Sequence, residues 1–319
     1  MPHVPWNGTQ RDAVKGGGPL IWYAATMRRT EQGPDETLGA TGLPVGVGAP
    51  AGWPRIVRGA GRFLIDWFPL LVVLFLYDSI HNRLARFLPP AHTLPQIRAD
   101  EMLFGGNVPA VQLQRIGYSQ THPGWWDYAA LAVYTSHFFV PILVGLWLWV
   151  RSRPRYLQYM RGVVGLTTIG YLTYILFPAV PPWLASQRGA LAPTHRLVRE
   201  LWEHLGFHGI AVQFSGSTLY ANDVAAIPSL HAAYPLLIAV FFWRDGGPVR
   251  RVALALYAAV MALVLVYAAE HYVLDIGLGW LYAIATVAAI ARFDRAPRGV
   301  GPAAATRRAS PGSGAARAA

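Results

Sequence analysis

Two histidines and one aspartate in the C-terminal half have the types and spacing of a phosphoryl-transfer site. His231 lies in IPSLHAAYP and His271 in EHYVLDIGLG, and Asp275 follows His271 by four residues. Positions i and i+4 of a helix share a face, so the carboxylate is expected to hold one ring nitrogen of His271 and leave the other free to attack. It would fix the tautomer, raise the basicity of the ring and stabilise the cation formed on attack. The HxxxD spacing by itself also fits a metal-ligand pair or a structural hydrogen bond. Pro228 suits the first position of a helix, which would leave the amides of Ser229, Leu230 and His231 without intrahelical partners at the positive end of the dipole. Ser229 and Leu230 are therefore expected to form an anion site beside the His231 imidazole. A proline-started helix with a histidine at the interface is the plainer alternative.

The elements that must position these residues are membrane helices. The chain has 319 residues, 54% of them hydrophobic and only 13% charged, with a mean hydropathy of +0.31, which is too apolar for a soluble domain of this size. Apolar runs at 63–80, 128–150, 160–180, 227–243, 252–270 and 272–291 each approach the ~20 residues a spanning helix needs. An all-α, polytopic membrane protein of about six transmembrane helices is expected. The fourth run leads away from His231 and the fifth returns to His271, so the two rings should reach one depth.

The net charge of +11 could mean a nucleic-acid partner, but its distribution argues against one. Basic residues gather at alternate ends of the runs: Arg55, Arg58 and Arg62; Arg151, Arg153, Arg155 and Arg161; Arg244, Arg250 and Arg251; Arg292, Arg295 and Arg298. That is the positive-inside pattern, and it places both termini in the cytoplasm of a plasma (inner) membrane protein. The connections 81–126 and 181–226, and the join near Glu270, then face outward, with Glu270 towards the head groups. With no cysteine in the chain, disulfides and cysteine-based zinc or nucleophile sites are excluded. Residues 1–58 and 296–319 are expected to be disordered cytoplasmic tails around a catalytic domain at 59–295. In 181–226, Leu197, Leu201, Trp202 and Leu205 recur at helical spacing, which predicts a helix on the outer membrane face with Trp183 and Trp202 as interfacial anchors.

Two more polar residues are candidates for the substrate site. His137 sits within the second run, roughly 15 Å along the helix from Asp127 at 1.5 Å per residue, and an ionisable group at that depth is a functional candidate or a helix-to-helix hydrogen bond. Tyr174 precedes Pro178 by four residues and either lines the same cavity or is an interfacial tyrosine.

PSLH at His231 and HYVLD at His271, followed by Gly277 and Gly279, resemble the second and third motifs of the type 2 phosphatidic acid phosphatase (PAP2) superfamily. LFGGN at 103–107, YTSHFFVP at 134–141 and YLTYILFPAVPPW at 171–183 resemble its inositol phosphorylceramide synthase branch. The resemblance covers roughly 95–285. It implies that His271 is a nucleophile forming a phosphohistidine, that Asp275 orients it and that His231 protonates the leaving group. It implies no metal and no cofactor. The implied substrate is a lipid phosphate or phospholipid in the bilayer, with an alcohol or polyol as possible acceptor. The lipid phosphatases of the superfamily carry cations that are missing here: Leu265 stands where they have an arginine six residues before the nucleophile, and the only lysine is Lys15. Phosphate charge must then be met by the amides at Ser229 and Leu230 and by Arg188, Arg196 or Arg199. This departure favours head-group transfer over hydrolysis of a lipid phosphate or polyprenyl pyrophosphate. A lipid transporter or flippase is a rival of another class, disfavoured because no internal repeat is visible and the polar residues gather at one face. A haloperoxidase-like vanadate site lacks its cationic ligands.

Overall fold

The computed structural model describes residues 53–84, 89–213 and 223–295. The chain divides into the units Met1–Pro54 and Arg55–Ala319, and the architecture below is that of the second. The expected tails lie outside the described residues apart from 53–58, which belong to the first helix.

Among the described residues there are eleven α-helices and no strand: α1 (Trp53–Leu84), α2 (Leu94–Leu103), α3 (Pro109–Gly117), α4 (Trp125–Arg151), α5 (Arg153–Leu176), α6 (Pro182–Gln187), α7 (Leu197–His204), α8 (His208–Gln213), α9 (Leu230–Phe242), α10 (Pro248–Tyr267) and α11 (Val273–Arg295). Six of them fall on the six apolar runs. Ala60–Tyr77 within α1, all of α4 and α10, and Val273–Asp294 within α11 are long and apolar enough to cross a membrane. The chain is an integral membrane protein built as an all-α bundle.

The remaining two helices depart from the simple span. α5 has the length, 24 residues, but starts RPRYLQYMR and buries Tyr156, Tyr159, Leu166, Thr167 and Tyr174 among its neighbours. α9 has 13 residues, about 20 Å at 1.5 Å per residue, which falls short of a hydrocarbon core of about 30 Å. It can be short because protein covers most of it: α9 packs against α11, α10, α4 and α5. Glycine permits a close approach here, since a side chain at Gly170 of α5 would run into Leu230.

The arginine-rich joins share one end of the bundle. Arg153 bonds Asp66 of α1 at 2.7 Å, Arg155 pairs with Asp245 beyond α9, and Arg161 meets Asp294 of α11 at 3.0 Å. The Arg155 and Arg161 pairs are partly exposed and contribute little stability, whereas Asp66 is buried; together the three register four elements at the same level. The opposite end is covered by the two long connections. One folds as α2 and α3, the other as α6, α7 and α8. The Gln114 side chain of α3 ties them together, donating to the carbonyls of His195 and Tyr267 at 2.9 Å each and accepting from the His195 amide at 2.7 Å.

Here the structure corrects the expected outer-face helix. Leu197, Val198 and Leu201 of α7 are fully buried in a core shared with Val180, Leu265 and Tyr272. Trp183 is also buried, with the Arg196 guanidinium 4.0 Å above its ring. Trp202 is half-buried against the same core. Leu197, Leu201 and Trp202 lie on a face of α7 that packs on α4 and the bundle end, where protein takes the place of lipid, whereas Leu205 falls beyond the helix and is exposed.

Candidate active site

The site begins with the way α9 and α11 are laced at their N-termini. α9 starts at Leu230 and Ser229 is its N-cap, the Ser229 hydroxyl accepting from the Ala232 amide at 3.2 Å. The Ser229 amide donates to the Asp275 carbonyl at 2.9 Å. Gly279, one turn further along α11, lies so close to Ser229 that a side chain there would overlap the Ser229 carbonyl, whereas Gly277 faces open space. The two contacts fix the turn carrying His231 against the turn carrying His271.

The same geometry bears on the expected anion site. Pro228 precedes the cap instead of starting the helix. The Ser229 side chain is fully buried, its amide donating to the Asp275 carbonyl and its hydroxyl accepting from the Ala232 amide. Ser229 thus caps α9, with its amide committed to Asp275.

The histidines do meet. His271 Nε2 stands 3.4 Å from His231 Nδ1, and the ring centroids are 5.5 Å apart. His271 is not on the same helix face as Asp275, because α11 begins two residues after it. Its Nδ1 instead contacts the Ala226 carbonyl at 2.9 Å, with Asp275 Oδ2 at 3.6 Å. A carbonyl only accepts, so Nδ1 must carry the proton and Nε2 the lone pair. The tautomer is therefore set by a backbone group, and Asp275 adds negative charge at a longer distance. Its Oδ2 is committed to the Tyr272 amide at 2.9 Å, bracing the turn between His271 and α11.

The Ala226 carbonyl is held in turn by the FPAVPPW segment. The Ala179 amide donates to the Val224 carbonyl at 2.7 Å, the Ala226 amide to Ala179 at 3.2 Å, and the Val180 amide to His92 at 2.9 Å. These bonds join three loop segments through isolated bridges at Ala179. Sequence reasoning missed Ala226, since a carbonyl partner leaves no side-chain signal.

His137 stands beside the histidine pair. Its ring lies 4.1 Å from that of His231, and Tyr134 stacks on the same His231 ring at 5.1 Å. Both His137 Nδ1 and His231 Nε2 are buried without a hydrogen-bond partner, polar groups available to a bound molecule. Tyr174 takes a structural role: its hydroxyl donates to the Pro228 carbonyl at 2.8 Å, bracing the turn into α9. Glu270, expected among the head groups, is buried and paired with Arg196 at 3.3 Å; Arg196 also reaches Asp223 at 3.4 Å. Arg199 is occupied with Glu203 at 2.9 Å on the exposed side of α7.

Paired histidines with a neighbouring buried carboxylate, held at one end of an all-α membrane bundle, match the chemistry of a phosphotransferase or phosphatase. The chain matches the PAP2 superfamily over residues 110–289 and belongs to that superfamily. It is similar to a phosphoinositol dihydroceramide synthase of Bacteroides thetaiotaomicron, with 33% identity over 146 residues, 44% of this chain and 47% of that protein. The chain thus spans about half the length of this curated relative. No solved structure matches it.

Proposed function

We propose that the protein moves a phosphorylated head group from a phospholipid to an alcohol or polyol acceptor through a phosphohistidine on His271. The observation that carries this reading is the orientation of His271: Nδ1 is bound to the Ala226 carbonyl, and Nε2 faces His231 Nδ1 at 3.4 Å. Nε2 attacks phosphorus, the bond to the lipid oxygen breaks, and His231 gives its proton to that oxygen. Asp275 balances the positive charge gained by the ring. In the second half, His231 takes the proton of the acceptor hydroxyl, the new P–O bond forms and His271 is released.

Arg196 is the cation we assign to the phosphate, because among the outer-loop arginines it is the one joined to Glu270, the neighbour of His271. His137 is assigned to the substrate as a polar wall behind His231. We place the catalytic domain at 59–295, the arginine-rich end in the cytoplasm, and the site at the outer face of the plasma membrane. The choice of transfer over hydrolysis rests on the name of the Bacteroides relative and on Leu265, which is fully buried where the lipid phosphatases carry an arginine. A drier pocket favours an alcohol over water.

The test is purified protein incubated with labelled phospholipids and polyprenyl phosphates, with and without a panel of polyol and ceramide-type alcohols. Transfer predicts a new phosphodiester whose yield rises with acceptor. Steady release of free phosphate or a free phosphorylated head group, with no acceptor competing, would make the protein a hydrolase and reject the transfer reading.

A further inference from the structure

Asp100 of α2 is a fully buried carboxylate that the mechanism above does not use. Its two oxygens accept from the amides of Val273 at 3.2 Å and Leu274 at 3.3 Å, the first two residues of α11. A helix start is usually capped by its own preceding Ser, Thr, Asp or Asn, but the residue before α11 is Tyr272, whose side chain cannot do this. Asp100 supplies the cap from another helix, while Asp275 takes the Tyr272 amide at 2.9 Å. Two carboxylates therefore divide the three amides that follow His271. One turn back on α2, Gln96 is fully buried with both amide atoms unpartnered. No salt bridge reaches Asp100 among the described residues.

We propose that Asp100 is a positioning residue for His271, its negative charge holding the Tyr272–Asp275 turn so that Nδ1 stays on the Ala226 carbonyl and Nε2 faces His231. The inference rests on His271 being the nucleophile. A group kept only for packing would be better neutral, because a buried charge without a cation is unfavourable. Burial pushes the Asp100 carboxyl up to about 6, with the nearby Asp275 charge adding to the rise against the pull of the two amides. The titratable groups that face it are Asp275 and the Tyr272 phenol. A carboxyl with a raised folded-state pKa stabilises the fold in its protonated form. That contribution is complete below the ordinary value of 3.8 and is lost as pH rises through about 6. Stability and function thus favour opposite protonation states at neutral pH.

The test uses the full chain with Asp100→Asn and Asp100→Glu. Wild type should show a rise in kcat near pH 6 as Asp100 ionises. Asp100→Asn should melt no lower than wild type at neutral pH, yet lose about 100-fold in kcat, as expected for an ångström-scale displacement of a reacting group. KM should be unchanged, and the step near pH 6 should vanish. Asp100→Glu should keep the step and more of the rate. Wild-type kcat in Asp100→Asn overturns the proposal, as does a loss of rate that follows the loss of folded protein. If the asparagine variant does not fold, a wild-type profile without the pH 6 step overturns it equally. His271→Ala separates the two readings: activity in that variant rejects the nucleophile assignment, whereas an inactive His271→Ala beside a wild-type-like Asp100→Asn rejects only the role of Asp100.

Discussion

Gly279→Ala tests whether the lacing of α9 to α11 sets the catalytic geometry. An alanine methyl would overlap the Ser229 carbonyl oxygen and lie 3.1 Å from the carbonyl carbon and 3.4 Å from the nitrogen. Carbon–carbon contacts relax at about 3.5–4.0 Å, so the carbon alone asks for about half an ångström and the overlapped oxygen for more. All three atoms are backbone, and no rotamer change can relieve the contact. The helix starts must part by about 1 Å. Overpacking of this kind destabilises by about 1–3 kcal/mol, and an ångström of misplacement between reacting groups lowers the rate by about 100-fold. The Ser229 to Asp275 bond at 2.9 Å spans the same gap and would stretch with it. The assay is kcat for head-group transfer in detergent or liposomes alongside a thermal melt. Gly277→Ala is the control, since nothing lies within 4 Å of its added methyl; there alanine should favour the helix by up to about 1 kcal/mol and leave the rate alone. A Gly279→Ala enzyme with wild-type kcat would refute the claim that this contact positions the histidines.

His271→Ala should abolish both turnover and any acid-labile phosphoenzyme, and a variant that keeps near-normal activity would end the phosphohistidine reading. Asp275→Asn should cost about 100-fold in kcat, less than the ~10⁴ seen where an aspartate alone sets the tautomer, because the Ala226 carbonyl still holds Nδ1; a loss as large as 10⁴ would return tautomer control to Asp275. Tyr174→Phe leaves the buried Pro228 carbonyl without its partner and should destabilise by about 1–3 kcal/mol with KM unchanged; a raised KM at wild-type stability would put Tyr174 back among the substrate contacts. In the cysteine-free background, single cysteines at Ala192 and Gly209 should react with an impermeant thiol reagent from outside, and those at Ser152 and Gly247 should not; the reverse pattern inverts the topology.

The bundle and the histidine pair were legible in the sequence because both are local signals. A run of apolar residues reports its own burial in lipid, and arginines at alternate ends report which joins share a level. His231, His271 and Asp275 stand in short motifs whose residue types state their chemistry. What encloses those residues was decided by packing between distant parts of the chain. The Ala226 carbonyl meets His271 across 45 residues and Asp100 meets Val273 across 173, and no periodicity encodes either contact. The Ser229 amide looks free in the sequence because the amides of a helix start have no local partner; only the docking of α11 shows that it is taken. Trp183 and the α7 stripe follow the same logic, since apolar side chains score alike whether lipid or protein covers them. Hydrophobicity determines that a face must leave water, and tertiary structure determines what it meets instead.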